Sequence, residues 1–416
     1  MEALGIRVLS DPQAAALAVA FVAGGIALGS VSGLTPGLHV NTVAVVLGAL
    51  APQVPGPPHL VGAAMLAAGV THSFLDVVPT LAIGVPDAAM AVSALPGHRL
   101  VMGGRGREAL RLSAVGSASA ILVAAVLGVP VTLAMRAVLP VVEDFFPLLI
   151  LGVAGVLVWT ERSDRSRIGG SLALLASGVL GVATLDLETG GLVPGGGTLL
   201  PLLSGLFGVP VLVHAYGGAG VPAQDDPTVA ASPRLAIGWG VVGALSGSIV
   251  AYVPGISAAV AAALSFAIVP HRTGARGFVT TVSGVNTANT IFALFALVAV
   301  GSPRTGVLVA FERAHLPPNL PLLLTAIGVA AAVSFVLVPV VGDRYLRVAG
   351  SVDPRRLTVG VGALLVALVG VFTGVVGLAL LALASVVGTI PPAYGARRVH
   401  LMGVLFVPLA LRSVLG

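Results

Sequence analysis

A few polar side chains stand inside long apolar segments, where hydrocarbon surroundings make them costly. Asp76 lies well inside the apolar run from about Leu60 to Gly84, and His72 and Ser73 come within one turn before it. His72 and Asp76 are four residues apart, so they share one face of a helix. An ionisable side chain inside a membrane span marks an ion or proton site by default. These three residues are the candidates for a coupling ion, Na+ or H+, and no other cofactor is expected.

A second polar group occurs in the apolar run from Phe278 to Val300. Its candidate substrate ligands are Asn286, Thr287, Asn289 and Thr290. Asn286 and Thr290 share a helix face. Their amide and hydroxyl groups suit a carboxylate, a substrate hydroxyl or a sodium ion. The structural alternative is hydrogen bonding between helices, worth about 0.6 kcal/mol for each contact.

Glycine and proline interrupt the apolar sequence between Ser32 and Thr42. Thr35 followed by Pro36 is a good helix start, with a hydroxyl N-cap and then a proline whose missing N–H costs nothing. We expect the first helix to end near Gly33 and a short second helix to begin at Pro36, with its positive end inside the protein. Such an end binds anions. The candidate ligands at this break are Thr35, Pro36, Gly37, His39, Asn41 and Thr42.

The same interruption returns later in the chain. Pro36 and Gly37 recur as Pro254 and Gly255, at an offset of 218 that also relates three upstream residues: Gly25, Gly29 and Ser30 to Gly243, Gly247 and Ser248. This indicates an internal repeat. The candidate ligands at the second break are Pro254, Gly255 and Ser257. Glycine and proline kinks also occur in membrane helices that only pack, which is the alternative interpretation.

Composition places the chain in a membrane. It has 416 residues, of which 57% are hydrophobic and 9% charged, and its mean hydropathy is +1.07. Apolar runs near twenty residues recur, which predicts an all-α polytopic protein of the cell membrane. We expect about ten to twelve spans, the later ones including Leu357–Val376, Gly377–Ile390 and Val399–Leu411. All 21 basic residues are arginine and cluster in short loops, which is typical of cytoplasmic edges rather than of nucleic-acid binding.

The repeat divides the chain into residues 1–216 and 234–416, two transmembrane repeats joined by a linker loop at 217–233. We expect the repeats to be inverted, each with a broken or re-entrant helix. Paired broken helices at matching positions place a transport site near the bilayer midplane. Two converging helix N-termini favour a small organic anion such as a carboxylate.

The Pro-Gly break in each half resembles the large membrane subunit of tripartite tricarboxylate transporters, the TctA-type permeases. The segments Ile83–Ala89, Leu95–Leu100 and Gly103–Ala109 are similar to a glycine- and proline-rich stretch of that family. The run Asn286–Thr290 stands where the family has a Glu-Ala-Ala-Asn-Asn-like sequence. This chain departs from the family pattern where Asn286 replaces the glutamate and where Pro86-Asp87 replaces Pro-Gly.

The resemblance implies an ion-coupled permease for di- or tricarboxylates, with a small membrane subunit and an extracytoplasmic binding protein as partners. One rival is a translocase for polyprenyl phosphate or another lipid carrier, which predicts a lateral opening toward the bilayer and an arginine near the pocket. A soluble substrate predicts an enclosed polar pocket. A second rival is an intramembrane enzyme. Only the spacing of His72 and Asp76 hints at a catalytic site, so we expect no enzyme.

Overall fold

The fold is that of an all-helical membrane protein, as the composition predicts. The computed structural model describes residues 2–3, 6–7, 11–36, 40, 43–44, 47–48, 51–84, 94–192, 197–216, 220–226, 228–253, 258, 261–262, 265 and 274–415. Apart from a pairing of two-residue strands, β1 (Glu2–Ala3) and β2 (Ile6–Arg7), regular structure in these residues is helical.

The helices in chain order have the following bounds: α1 Pro12–Leu34, α2 Pro58–Leu75, α3 Val77–Ile83, α4 Ala94–Met102, α5 Gly106–Asp144, α6 Phe146–Trp159, α7 Asp164–Thr184, α8 Leu199–Leu203, α9 Val209–Ala215, α10 Pro233–Val250, α11 Gly274–Val300, α12 Gly306–Arg313, α13 Leu320–Ser351, α14 Pro354–Gly388, α15 Ile390–Tyr394 and α16 Gly403–Leu415. A π-helical turn, Ser204–Gly208, joins α8 to α9, and 3-10 turns occur at Ala51–Gln53 and Arg398–Met402.

Eight helical segments in the described residues are long and apolar enough to cross a bilayer, and two further apolar helices are shorter. The predicted spans Leu357–Val376 and Gly377–Ile390 fall in one apolar helical segment, Pro354–Tyr394, formed by α14 and α15. The helical geometry of α14 is interrupted at one residue, Gly374. Gly374 has φ +63°, which an L side chain rarely adopts, and a Cβ there would lie 2.0 Å from the carbonyl oxygen of Gly190. The glycine therefore lets the loop before α8 approach the kink.

Two helical segments form the centre of the protein. In its most apolar window, α2–α3 is 94% buried and α11 is 83% buried, whereas the other six spanning segments are between 17% and 44% buried. The lipid-facing helices keep many large apolar side chains exposed, as expected where lipid replaces water. The polar side chains of the two central segments are therefore held inside the protein.

Glycines bring each central helix close to its neighbour. A Cβ on Gly25 or Gly29 of α1 would lie 2.2 or 2.4 Å from the carbonyl oxygens of Ala64 or Ala68 on α2. On α10, Gly243 and Gly247 approach α11 in the same way: the corresponding distances to the carbonyl oxygens of Thr281 and Val285 are 2.1 and 2.4 Å. The glycines are 218 residues apart and their partners 217, so the pairings α1–α2 and α10–α11 are equivalent. This packing supports an internal repeat; its inversion stays a prediction.

Ion pairs and hydrogen bonds meet where the linker between the halves packs against the arginine-bearing residues 99–111. Glu108, at the start of α5, accepts hydrogen bonds from Arg276 of α11 at 2.8 and 3.1 Å and from Arg105 at 2.9 Å. It also accepts one from the backbone N–H of Ala230 at 2.8 Å. Gln224 accepts a hydrogen bond from the backbone N–H of Gly106 at 2.7 Å. The sequence analysis took these arginines only as a sign of cytoplasmic loops, but Arg105 also holds a buried carboxylate.

A second buried carboxylate holds the C-terminal segment against the α6–α7 turn. Glu161 accepts hydrogen bonds from the backbone and side chain of Arg397, and His400 Nε2 lies 2.8 Å from the same carboxylate oxygen. Burial alone would raise the pKa of Glu161, but the hydrogen bonds from His400 and Arg397, together with the charge of Arg397, lower it from 4.5 to about 2. Glu161 is therefore ionised at any pH at which the protein is expected to work.

Candidate functional site

The helical segment α2–α3 carries Asp76 at a point where one backbone hydrogen bond of the helix is missing, and Asp76 itself keeps helical backbone angles, φ −59° and ψ −22°. α2 ends at Leu75 and α3 begins at Val77, although the Asp76 N–H still donates to the carbonyl of His72 at 2.9 Å. Pro79 has no N–H, so it cannot complete the helical hydrogen bond to the carbonyl of Leu75. The carbonyl of Asp76 accepts a hydrogen bond from the hydroxyl of Thr80 at 2.8 Å. The carbonyl of Leu75 therefore lacks its helical donor next to the buried Asp76 side chain.

The two polar groups predicted from the sequence meet across the halves of the chain. Asn286 Nδ2 donates to Asp76 Oδ2 at 2.7 Å and to the carbonyl oxygen of Ser73 at 3.3 Å. Asp76 is 3% exposed and Asn286 is 6% exposed. A hydrogen bond to a charged acceptor stabilises by about 1.5–3 kcal/mol. The contact between Asp76 and Asn286 therefore both ties α3 to α11 and keeps a carboxylate inside the membrane protein.

His72 connects this region to the end of α1. Its Nδ1 lies 2.9 Å from the hydroxyl oxygen of Ser32, and both side chains are buried. Ser32 stands in the last turn of α1, so the hydrogen bond links the first break to the helix that bears Asp76. Ser73 turns its hydroxyl to its own helix and donates to the carbonyl of Val70 at 2.9 Å.

The four polar residues predicted on α11 have different surroundings. Thr287 donates to the hydroxyl of Ser117 on α5 at 2.9 Å, which favours a helix-packing role. Thr290 donates to the carbonyl of Asn286 at 3.3 Å. Asn289 and Thr290 are partly exposed, whereas Asn286 and Thr287 are buried. Of these four residues, Asn286 is the one whose side chain is seen to join the carboxylate.

α1 ends at Leu34, close to the predicted Gly33, and Pro36 is buried. The short helix predicted to start at Pro36 lies largely outside the described residues and stays a prediction. The hydroxyl of Thr35 donates to the carbonyl of Val31 at 2.7 Å, which closes the last turn of α1. The other break residues lie outside the described part of the chain. These are Gly37, His39, Asn41 and Thr42 in the first half and Pro254, Gly255 and Ser257 in the second.

Sequence reasoning missed a buried hydroxyl pair beside the second break. Tyr252 is fully buried two residues before Pro254, and its hydroxyl oxygen lies 2.6 Å from that of Thr132 on α5. Ser113 and Ser117 of α5 also contact Ser283 of α11, at 2.8 Å for the hydroxyl pair and 3.4 Å to the carbonyl. A tyrosine next to a proline break in an apolar span could have indicated the first contact. No sequence signal could have indicated the second contact, because it depends on α5 and α11 being neighbours in the fold.

An apolar groove of about 630 Å3 runs beside the first break. Its lining includes Phe21, Gly24, Leu28 and Ser32 of α1, together with Met65 of α2 and Phe372 of α14. Ser32 is the one polar side chain among its described lining residues. The groove is therefore not the enclosed polar pocket that the sequence analysis predicts for a soluble substrate. The arginine predicted near the pocket of a lipid-carrier translocase is not among those residues.

Eight apolar spans in the described residues, a repeated pair of glycine-packed helices and a buried polar contact between the two halves define a polytopic helical membrane protein. The family model of the tripartite tricarboxylate transporter TctA family matches residues 19–403. The chain belongs to this family. It is also similar to an uncharacterized protein of Methanocaldococcus jannaschii, with 25% identity over 323 residues that cover 75% of this chain and 77% of that protein. No solved structure matches the chain.

Proposed function

We propose that the protein is an ion-coupled secondary transporter of small organic anions such as di- or tricarboxylates. The observation that carries this proposal is the hydrogen bond between Asp76 and Asn286, which joins the two halves of the chain. An aspartate buried inside a membrane span is costly and marks an ion pathway. A carboxylate at a helix break can bind H+ or Na+ together with nearby backbone carbonyls. Asp76, with Ser73 and His72 beside it, is the proposed coupling site.

The proposed substrate site lies between the two breaks. Pro36 and Gly37 in the first half and Pro254 and Gly255 in the second would present helix N-termini to the anion. In this proposal Asn286 would bind the anion as well as Asp76, so that occupation of one site would change the polar environment of the other. That linkage is what coupling of anion transport to an ion gradient requires.

The partners follow from the family. The tripartite family name supports a small membrane subunit and an extracytoplasmic binding protein that delivers the anion, and both are proposals for this chain. The same membership in a transporter family favours transport over an enzymatic reaction. A lipid-carrier translocase is the second candidate function, and the apolar groove beside α1 is the specific observation that favours it.

The test is uptake of labelled citrate and succinate into liposomes that contain the purified protein. We expect uptake driven by a Na+ or H+ gradient and absent from empty liposomes. Gly37→Val and Gly255→Val should each abolish uptake while the purified protein stays folded, because the added side chain blocks close approach of the anion to the backbone. Normal uptake by both variants would contradict the paired-break site.

A further inference from the structure

Three apolar helical segments end at the same edge of the helical bundle. The short helix α6 ends at Trp159, the span α7 begins at Asp164, and the span Pro354–Tyr394 ends in α15. The side chain of Arg165 on α7 donates to the carbonyl oxygen of Ala393 on α15 at 3.0 Å, which joins two of these ends. Because an apolar span ends where hydrocarbon gives way to water, this edge lies at the surface of the bilayer.

Positive charge is in excess at this edge. The α6–α7 turn, the first turn of α7 and the segment that follows α15 carry five arginines and two acidic residues, a net charge of +3. Both carboxylates are already paired, Glu161 with Arg397 and Asp164 with Arg167, each at 2.8 Å. The remaining three arginines have no carboxylate partner in the described part of the chain, and we call them the cationic edge: Arg162, Arg165 and Arg398.

The guanidinium of Arg398 is partly buried, unlike the exposed side chains of Arg162 and Arg165. Its Nη1 atom is buried and has no hydrogen-bond partner among the described residues. This burial lowers the pKa of Arg398. A partly buried charge without a counter-charge is costly, so an anion bound beside Arg398 would stabilise the folded protein.

An apolar stripe that faces lipid begins directly below Arg165 on α7. Its residues follow Arg165 at alternating spacings of three and four positions, so they share one face of the helix with it. Their side chains are 43–67% exposed, which leaves this face open to the bilayer. The stripe consists of Ile168, Leu172, Leu175 and Val179.

We propose that the cationic edge binds the phosphate group of an anionic phospholipid, with an acyl chain lying along the exposed stripe of α7. Arginine suits this ligand because its planar guanidinium can donate two parallel hydrogen bonds to a phosphate. Basic groups between helix ends at a membrane surface attract anionic head groups. The apolar stripe favours a lipid over free phosphate, because free phosphate would make no use of it.

Trp159 provides a direct reporter of this lipid. It is 74% exposed at the end of α6, and the next residue, Thr160, accepts a hydrogen bond from Arg397 at 2.7 Å. The chain has two tryptophans, so Trp239→Phe leaves Trp159 as the single indole fluorophore. A phospholipid at the cationic edge would therefore bring its chains close to the indole ring.

The experiment measures quenching of Trp159 fluorescence in phosphatidylcholine nanodiscs that hold the full-length Trp239→Phe protein. Phosphatidylglycerol with brominated chains is added in increasing amounts, and brominated phosphatidylcholine is added to a parallel series. We expect quenching by brominated phosphatidylglycerol to saturate and to exceed quenching by brominated phosphatidylcholine at equal mole fractions. Saturation distinguishes a binding site from general attraction to an anionic bilayer.

Arginine variants locate the site. Arg162→Gln and Arg165→Gln change exposed side chains without a carboxylate partner, so both variants should stay folded, and thermal unfolding checks this. The apparent affinity for phosphatidylglycerol should fall about fivefold for each arginine removed. Arg398→Gln should act in the same direction. The matched control is Arg347→Gln on α13, which removes the same charge from an exposed arginine that pairs with Asp343, and it should leave quenching unchanged.

Four results would overturn the inference. The first is equal quenching by the two brominated lipids, and the second is quenching that rises in proportion to the mole fraction of phosphatidylglycerol. The third is an affinity that Arg162→Gln, Arg165→Gln and Arg398→Gln leave unchanged, or that Arg347→Gln lowers as much. The fourth is relief of the quenching by inorganic phosphate, which would identify a site for a free anion instead of a lipid. These measurements need no transport, so they are independent of the proposed function.

Discussion

Replacing Asp76 by asparagine removes the buried carboxyl group and keeps the shape of the side chain. The side-chain oxygen of an asparagine at this position can still accept the hydrogen bond that Asn286 Nδ2 makes at 2.7 Å. The bond changes from one with a charged acceptor, worth about 1.5–3 kcal/mol, to a neutral one worth about 0.5–1.5 kcal/mol. For an ionised Asp76 the weaker bond costs roughly 1 kcal/mol, and removal of the desolvation cost of the buried carboxylate offsets this loss, so Asp76→Asn should leave the protein folded.

The effect on coupling should be much larger than the effect on stability. A tenfold ion gradient stores about 1.4 kcal/mol for each ion that moves. A carrier that moves one ion with each substrate can therefore concentrate the substrate up to about tenfold. A variant that cannot bind the ion only equilibrates the substrate, so its accumulation ratio falls to about one, while exchange of substrate across the membrane continues.

The assay compares accumulation and exchange in liposomes held at zero membrane potential. Exchange reports a folded, substrate-binding carrier, and accumulation reports coupling to the Na+ or H+ gradient. The control is Asp186→Asn, which removes an exposed carboxylate that pairs with Arg412 on the surface. The reasoning would be refuted if Asp76→Asn accumulated substrate about tenfold with the wild-type dependence on pH and Na+.

The remaining predictions concern packing and acid stability. Gly29→Ala and Gly247→Ala each place a Cβ 2.4 Å from a backbone carbonyl oxygen, so each should destabilise the protein by about 1–3 kcal/mol in thermal unfolding. The control is Gly238→Ala on α10, where a Cβ meets nothing within 4 Å, and it should be neutral or stabilising. Equal melting temperatures for the three variants would contradict the glycine-packing argument. The lowered pKa of Glu161 stabilises the folded state above pH 4.5, and up to about 3 kcal/mol of that stability should be lost as the pH falls from 4.5 to about 2. Glu161→Gln should remove this part of the pH dependence of the unfolding free energy. An unchanged dependence on pH in the variant would contradict the role given to Glu161.

Much of the candidate site could be predicted because hydrocarbon makes polar residues conspicuous. Asp76 and Asn286 stood out as polar groups in apolar runs, on two different predicted helices. Their hydrogen bond could not be predicted, because it depends on α3 and α11 crossing at those residues, which lie 210 positions apart. The same reason explains the role of Glu108, whose partners come from the linker and from α11.

The sequence by itself determined the class of protein, since long apolar runs without charge are stable only as helices in a bilayer. It also determined the repeat of glycines at an offset of 218, because glycine is needed wherever two helix backbones approach closely. Only the tertiary structure decided that those glycines pair α1 with α2 and α10 with α11, that α2–α3 and α11 are central, and that an apolar groove runs along α1. Side chains on different helices become neighbours through packing, and no local pattern in the chain records which helices pack together.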